Sequence, residues 1–190
     1  MIVRVFLFIF VACASAWADV AIARLFAESD NEQLIQFIDE NRADLNTLFP
    51  RNGSGFIHYA VLRPDTVVLR YLLENGADAN LSSKLGKTAL FSAAVTGDID
   101  AAKLLLKHGC NPSIRDNAPR HTAFEKAFIS YYARGKDPKI LAVMQILLPI
   151  TNLEHLEFTK FATQYRKSEG IVAETPEDWL HTEIHRVDGN

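Results

Sequence analysis

Gly55-Phe56-Ile57-His58-Tyr59-Ala60 returns after 33 residues as Thr88-Ala89-Leu90-Phe91-Ser92-Ala93, and after a further 34 as Thr122-Ala123-Phe124-Glu125-Lys126-Ala127. A second landmark keeps the same step: Leu72-Leu73-Glu74-Asn75-Gly76-Ala77-Asp78-Ala79-Asn80 is matched 33 residues later by Leu105-Leu106-Lys107-His108-Gly109-Cys110-Asn111-Pro112-Ser113. Two landmarks holding one period define a repeated unit, and such units bury their apolar sides against their neighbours.

Each unit reads as a pair of helices. In Asp98 to Gly109, apolar residues recur at helical spacing and stop at a glycine, with Lys107 and His108 in the last turn. Gly76 and Gly109 stand where a chain leaving a helix needs a left-handed residue. Ala60, Ala93, Ala94 and Ala127 mark a short inner helix whose tight stacking leaves no room for bulk. The expected product is a curved stack of helix pairs.

At these residues the chain resembles the ankyrin-repeat family, whose unit of about 33 residues carries a T-P-L-H-x-A signature. Gly55-Phe56-Ile57-His58 keeps the histidine and puts glycine where threonine is usual, whereas Thr88-Ala89-Leu90-Phe91 keeps the threonine and loses the histidine. The first unit is recognised from Ile35 to Asn46, with Arg42 in the usual glycine position and Ala43-Asp44-Leu45-Asn46 paralleling Ala77-Asp78-Ala79-Asn80. The resemblance implies an all-α ankyrin-repeat solenoid of about four helix-pair units over residues 19–150, in which His58 is structural.

The fourth unit is longer than the others. Its aliphatic pair, Leu147-Leu148, falls about eight residues late, which places an insertion in Ile129 to Pro138 and lengthens the inner helix. Beyond Pro149, residues 151–190 form a C-terminal segment. Leu153, Leu156, Phe158, Phe161 and Tyr165 recur at near-helical intervals, suiting a helix that caps the open end of the stack. From Ser168 onward the composition suggests an irregular tail, in which Trp179 and Leu180 either fold back on the capping helix or contact a partner.

Residues 1–18 read as a secretory signal: Arg4, an apolar run from Val5 to Ala12, and an A-x-A site at Ala16-Trp17-Ala18. The apolar run is too short for a membrane span. The competing reading is a lipoprotein anchored through Cys13. Cleavage before Asp19 leaves 19 basic against 23 acidic residues, a formal charge of −4, with Cys110 as the remaining cysteine. An acidic chain without a basic stripe is not built for nucleic acid. A single cysteine permits no internal disulfide, so stability rests on the core. The expected location is the periplasm, and the free protein is expected to be a monomer.

No nucleophile elbow, phosphate-cradling loop or zinc-binding H-E-x-x-H helix is present, so neither catalysis nor a cofactor is expected. His181 and His185 are spaced to share a helix face, but they lack a third ligand, and a polar tail without metal is the expectation there. Binding sites implied by the resemblance lie on hairpin tips and inner helices: Phe49, Arg51, Tyr59, Leu62, Arg63, Lys84, Lys87, Val95, Arg115, Arg120 and Tyr132. Joint replacement of Tyr59 and Arg63 is expected to weaken partner binding and spare the fold. The function implied is stoichiometric binding of one protein partner, with neutralisation of a periplasm-acting toxin as the leading role. Stabilisation of a periplasmic enzyme such as a catalase is the alternative.

Overall fold

Most of the described helices begin where a side chain satisfies one of the first free amides. The computed structural model describes residues 17–40, 44–50, 52–118, 120–152 and 175–187. Among them are nine α-helices, one short 3-10 turn and no strand. The chain divides into two units, Met1–Ala89 and Leu90–Asn190.

The first unit holds α1 (Trp17–Glu28), α2 (Asn31–Glu40), α3 (Phe56–Ala60) and α4 (Val67–Glu74). Asp30 Oδ1 accepts the Gln33 amide at the start of α2 (2.8 Å), and Asp65 Oδ1 does the same for Val67 before α4 (2.9 Å). Ile22 and Phe26 of α1, Leu34 and Ile38 of α2, and Val68, Leu69 and Leu72 of α4 are buried at helical spacing. Helix α1 packs on α3, and α2 on α4. The Tyr71 hydroxyl on α4 donates to Asp39 on α2.

Gly55 explains the missing threonine of this repeat. A Cβ there would lie 2.6 Å from Leu81 Cδ2 and 3.0 Å from the Thr47 carbonyl oxygen. His58 then supplies the cap that threonine would otherwise share, its Nδ1 accepting the Gly55 amide at 3.0 Å.

The second unit holds the remainder of α5 (Ala89–Thr96), with α6 (Ile99–Lys107), α7 (Ala123–Ala133), α8 (Pro138–Leu147), a 3-10 turn (Leu148–Ile150) and α9 (Pro176–Val187). Asp98 caps α6 by accepting the Ala101 amide, and Gly109 leaves that helix at φ +81°, the left-handed exit expected from sequence. Thr122 and Glu125 cap α7 reciprocally: Thr122 Oγ1 accepts the Glu125 amide (3.2 Å) while Glu125 Oε2 accepts the Thr122 amide (2.6 Å). The insertion does lengthen the inner helix, α7 having 11 residues against 8 for α5.

The chain end differs from the expectation. The proposed capping helix of Asn152 to Lys167 lies, beyond Asn152, outside the described residues, and the stretch read as an irregular tail contains α9. Thr175 caps this helix, accepting the Asp178 amide at 3.1 Å, with Pro176 at the first helical position. Trp179, fully buried, packs against Phe128 with the rings tilted and their centres 4.7 Å apart, and donates its indole Nε1–H to the Tyr132 hydroxyl (2.8 Å). One helical turn on, the fully buried Glu183 accepts from the Tyr131 hydroxyl (2.9 Å) and lies 3.9 Å from Lys136 Nζ. Trp179 therefore folds back on the long inner helix α7, whose insertion supplies both tyrosines.

Two outcomes test this packing. Trp179→Ala removes the largest fully buried side chain and should cost about 3–5 kcal/mol in urea unfolding. Gly97→Ala should cost about 1–3 kcal/mol in the same assay, because Gly97 sits at φ +74° with Lys139 Cβ and Ile140 N only 2.7 and 2.8 Å from where a Cβ would stand.

Candidate protein-binding surface

In the first unit, two hairpin loops and the end of α3 carry the sequence-predicted binding residues. The first loop closes on itself, the Phe49 amide donating to the Ser54 carbonyl and the Gly53 amide to the Phe49 carbonyl (both 2.8 Å). Gly53, at φ +61°, abuts the Lys84 backbone of the second loop: a Cβ would lie 2.6 Å from Lys84 N. The loops are thus in contact, and only glycine allows it.

His58 fixes the second loop. Its Nδ1 accepts from Gly55, so Nε2 carries the proton and donates to the Lys87 carbonyl (2.9 Å), which also accepts from the Ser83 amide (2.9 Å). The structural role expected for His58 follows from these bonds.

Several predicted binding residues serve the fold. Phe49 is buried, edge-on to Phe56 at 5.1 Å and 6.0 Å from Tyr59. Tyr59 is half-buried, resting on Phe26 at 5.9 Å and accepting at its hydroxyl from Asn52 Nδ2 (2.9 Å). Arg63 reaches back to the α1–α2 junction, donating to the Phe26 carbonyl, the Ser29 carbonyl (3.0 Å) and Asn31 Oδ1 (3.0 Å). Joint replacement of Tyr59 and Arg63 therefore reaches the interior, contrary to the expectation that it spares the fold.

Three leucines remain in water at 43, 62 and 60% exposure: Leu48 on the first loop, Leu62 just after α3 and Leu85 on the second loop. Lys84 is exposed beside Leu85, and Lys87 is half-buried. Arg51 lies outside the described residues. The sequence reading named Leu62 beside aromatic and arginine candidates, of which Phe49 is buried and Tyr59 and Arg63 are half-buried in this unit.

In the second unit, the 115–121 loop is held by charge. Arg115 Nη1 donates to the Arg120 carbonyl (2.7 Å) and to Glu125 Oε2 (3.2 Å), while the Asp116 carboxylate accepts the His121 amide (2.8 Å) and pairs with Lys126 Nζ (3.4 Å). Arg120 is exposed at φ +70°. Val95 is half-buried, its carbonyl accepting from Ser130 Oγ (3.1 Å). Tyr132 lies under Trp179, with Lys136 Nζ 5.4 Å from its ring centre. Sequence reasoning missed Trp179 and Glu183 as covers of this helix. The Thr175-Pro176-Glu177-Asp178 start signal could have revealed the element that carries them.

No helix among the described residues is long and apolar enough to cross a membrane. Among them, no group of three or more His, Cys, Asp or Glu residues is placed to hold a metal.

Residues 21–116 match the family described as ankyrin repeats in three copies, and the chain belongs to the ankyrin-repeat family. Among its relatives is the E3 ubiquitin-protein ligase XBAT33 of Arabidopsis thaliana, 33% identical over 113 residues, or 60% of this chain and 21% of the ligase. NF-kappa-B inhibitor alpha of Sus scrofa is 28% identical over 108 residues, 53% of this chain and 34% of the inhibitor. An ankyrin repeat protein of Borreliella burgdorferi is 32% identical over 94 residues, 46% of this chain and 22% of that protein. The chain thus spans between a fifth and about a third of the length of these relatives. What it shares with them is the repeat, a module for protein–protein interaction and typically without catalysis of its own.

Two histidines, His58 buried and His121 half-buried, set a pH dependence. Burial holds the His58 imidazole below its ordinary value, against the Lys87 carbonyl, which favours the charged ring; burial and then the Lys126 charge do the same to His121. The unfolded chain takes up protons near the ordinary value of about 6.5 while the folded chain resists, so stability is full above that pH and is lost as pH falls below it. The urea midpoint should therefore drop between pH 7.5 and 5.5. His58→Asn should be less stable at pH 7.5 and lose less over the same interval.

Proposed function

We propose that this chain is exported and binds one protein partner stoichiometrically in the periplasm, neutralising a toxin or effector that acts there. The observation that carries the binding surface is the exposure of Leu48, Leu62 and Leu85 on a unit whose other large apolar side chains are mostly buried. Their loops are held by the His58 and Gly53 contacts, so a partner meets leucines on a preformed backbone and little ordering entropy is lost. Lys84 beside Leu85 adds a cation at the rim of that surface.

The export reading rests on Arg4, the apolar run Val5 to Ala12 and the Ala16-Trp17-Ala18 site. The partner class rests on the likeness of small exported ankyrin-type proteins of bacteria to immunity proteins. Support of a periplasmic enzyme such as a catalase uses the same surface and differs in its consequence for the partner's activity.

The test is capture of the partner from the host's periplasmic extract, followed by titration of its activity. A hydrolase whose activity falls to zero at one equivalent supports neutralisation. An enzyme whose activity is unchanged or prolonged overturns it in favour of enzyme support. Leu62→Asp with Leu85→Asp should weaken calorimetric affinity for the captured partner by about thirtyfold or more, the loss typical of a central contact, while leaving the urea midpoint unchanged.

A further inference from the structure

The folding of the chain end into α9 creates an arrangement that an irregular tail would not hold. Trp179, Leu180 and Glu183 occupy its buried side, whereas His181 and His185 are exposed. Thr175 caps the helix and Trp179 is clamped by Phe128 and the Tyr132 hydroxyl, so the exposed residues ride on a fixed backbone. One turn apart, the two imidazoles bring Nε2 to within 3.2 Å of Nε2, with ring centres 4.3 Å apart.

Two ring nitrogens that close either share a proton or share a cation. For metal–nitrogen bonds of about 2.05 Å, a bite of about 90° separates two ligand nitrogens by about 2.9 Å, and a tetrahedral bite by about 3.3 Å. The observed 3.2 Å falls between these values. We propose that His181 and His185 form a bidentate site for a divalent transition metal, with Nε2 of each ring as ligand and water completing the coordination.

The ligand chemistry selects the metal class. Neutral imidazole suits zinc, copper and nickel, while magnesium and calcium require oxygen ligands. With two protein ligands the geometry is set by the metal, so affinity follows the intrinsic order, copper(II) above both nickel(II) and zinc(II). Binding spans one turn and staples α9, which favours the conformation that buries Trp179. This site is independent of the partner-binding reading, since it involves none of the leucines.

The experiment is calorimetric titration of the intact protein with the chlorides of copper(II), nickel(II), zinc(II) and magnesium, with hydrogen exchange measured across Pro176–Val187. One equivalent of copper(II), nickel(II) or zinc(II) should bind, copper(II) tightest, with no magnesium uptake and with slower amide exchange in α9. His181→Ala and His185→Ala should each lower zinc(II) affinity about tenfold or more, since either leaves a single imidazole ligand. His108→Ala, which removes a ring hydrogen-bonded to Leu104 on α6, should leave zinc(II) affinity unchanged. Both histidines are exposed, so these replacements should keep the wild-type urea midpoint without metal. Wild-type affinity in either single variant, or equal affinity in the wild type and the double variant, would overturn the site.

Discussion

A stack of short helix pairs turns a corner every few residues, and each corner exposes amides that no helix satisfies. This chain answers with one side-chain oxygen per corner. Asp44, Asp78 and Asn111 each accept the amide two residues ahead, at 3.0, 2.8 and 2.9 Å. In the first unit Asn46 extends the device between repeats, accepting the Asp78 amide at 2.8 Å. Without these turns the hairpin loops would lack a fixed starting direction, and neither the Gly53 contact nor the His58 bond could form where it does.

The same need recurs where each inner helix begins, and the sequence varies the solution. His58 and Glu125 hold equivalent places, three residues after Gly55 and Thr122, and each reaches back to the amide that opens its helix. The choice has consequences beyond the helix. Histidine has a second nitrogen, which ties down the neighbouring loop through Lys87; glutamate has a charge, which draws Arg115 inward at 3.2 Å. Arg115, which looks like part of a basic tip in sequence, is thereby turned inward, while Arg120 of the same loop stays exposed.

The repeat architecture was legible because period, glycine exits and small inner-helix residues are local signals that survive without knowledge of contacts. Leu62, named among the binding candidates, is exposed. The roles of Arg63, Arg115 and Phe49 were not legible, because whether a long side chain meets solvent or a carbonyl depends on where a distant segment passes. Arg63 meets the Phe26 and Ser29 carbonyls more than thirty positions away. The helix at the chain end was locally signalled by Thr175 and Pro176, but its position on Tyr131 and Tyr132 depends on the insertion that lengthens α7.

Trp179 gives the molecule an optical gauge of its own end. Its indole is enclosed by Phe128, Tyr131 and Tyr132, with ring centres 4.7, 6.0 and 6.2 Å away. Light absorbed by either tyrosine has an acceptor within direct reach, and the emission colour of that acceptor depends on whether water touches it. Undocking of a single helix therefore changes the emission of one of the chain's two tryptophans, with no label attached.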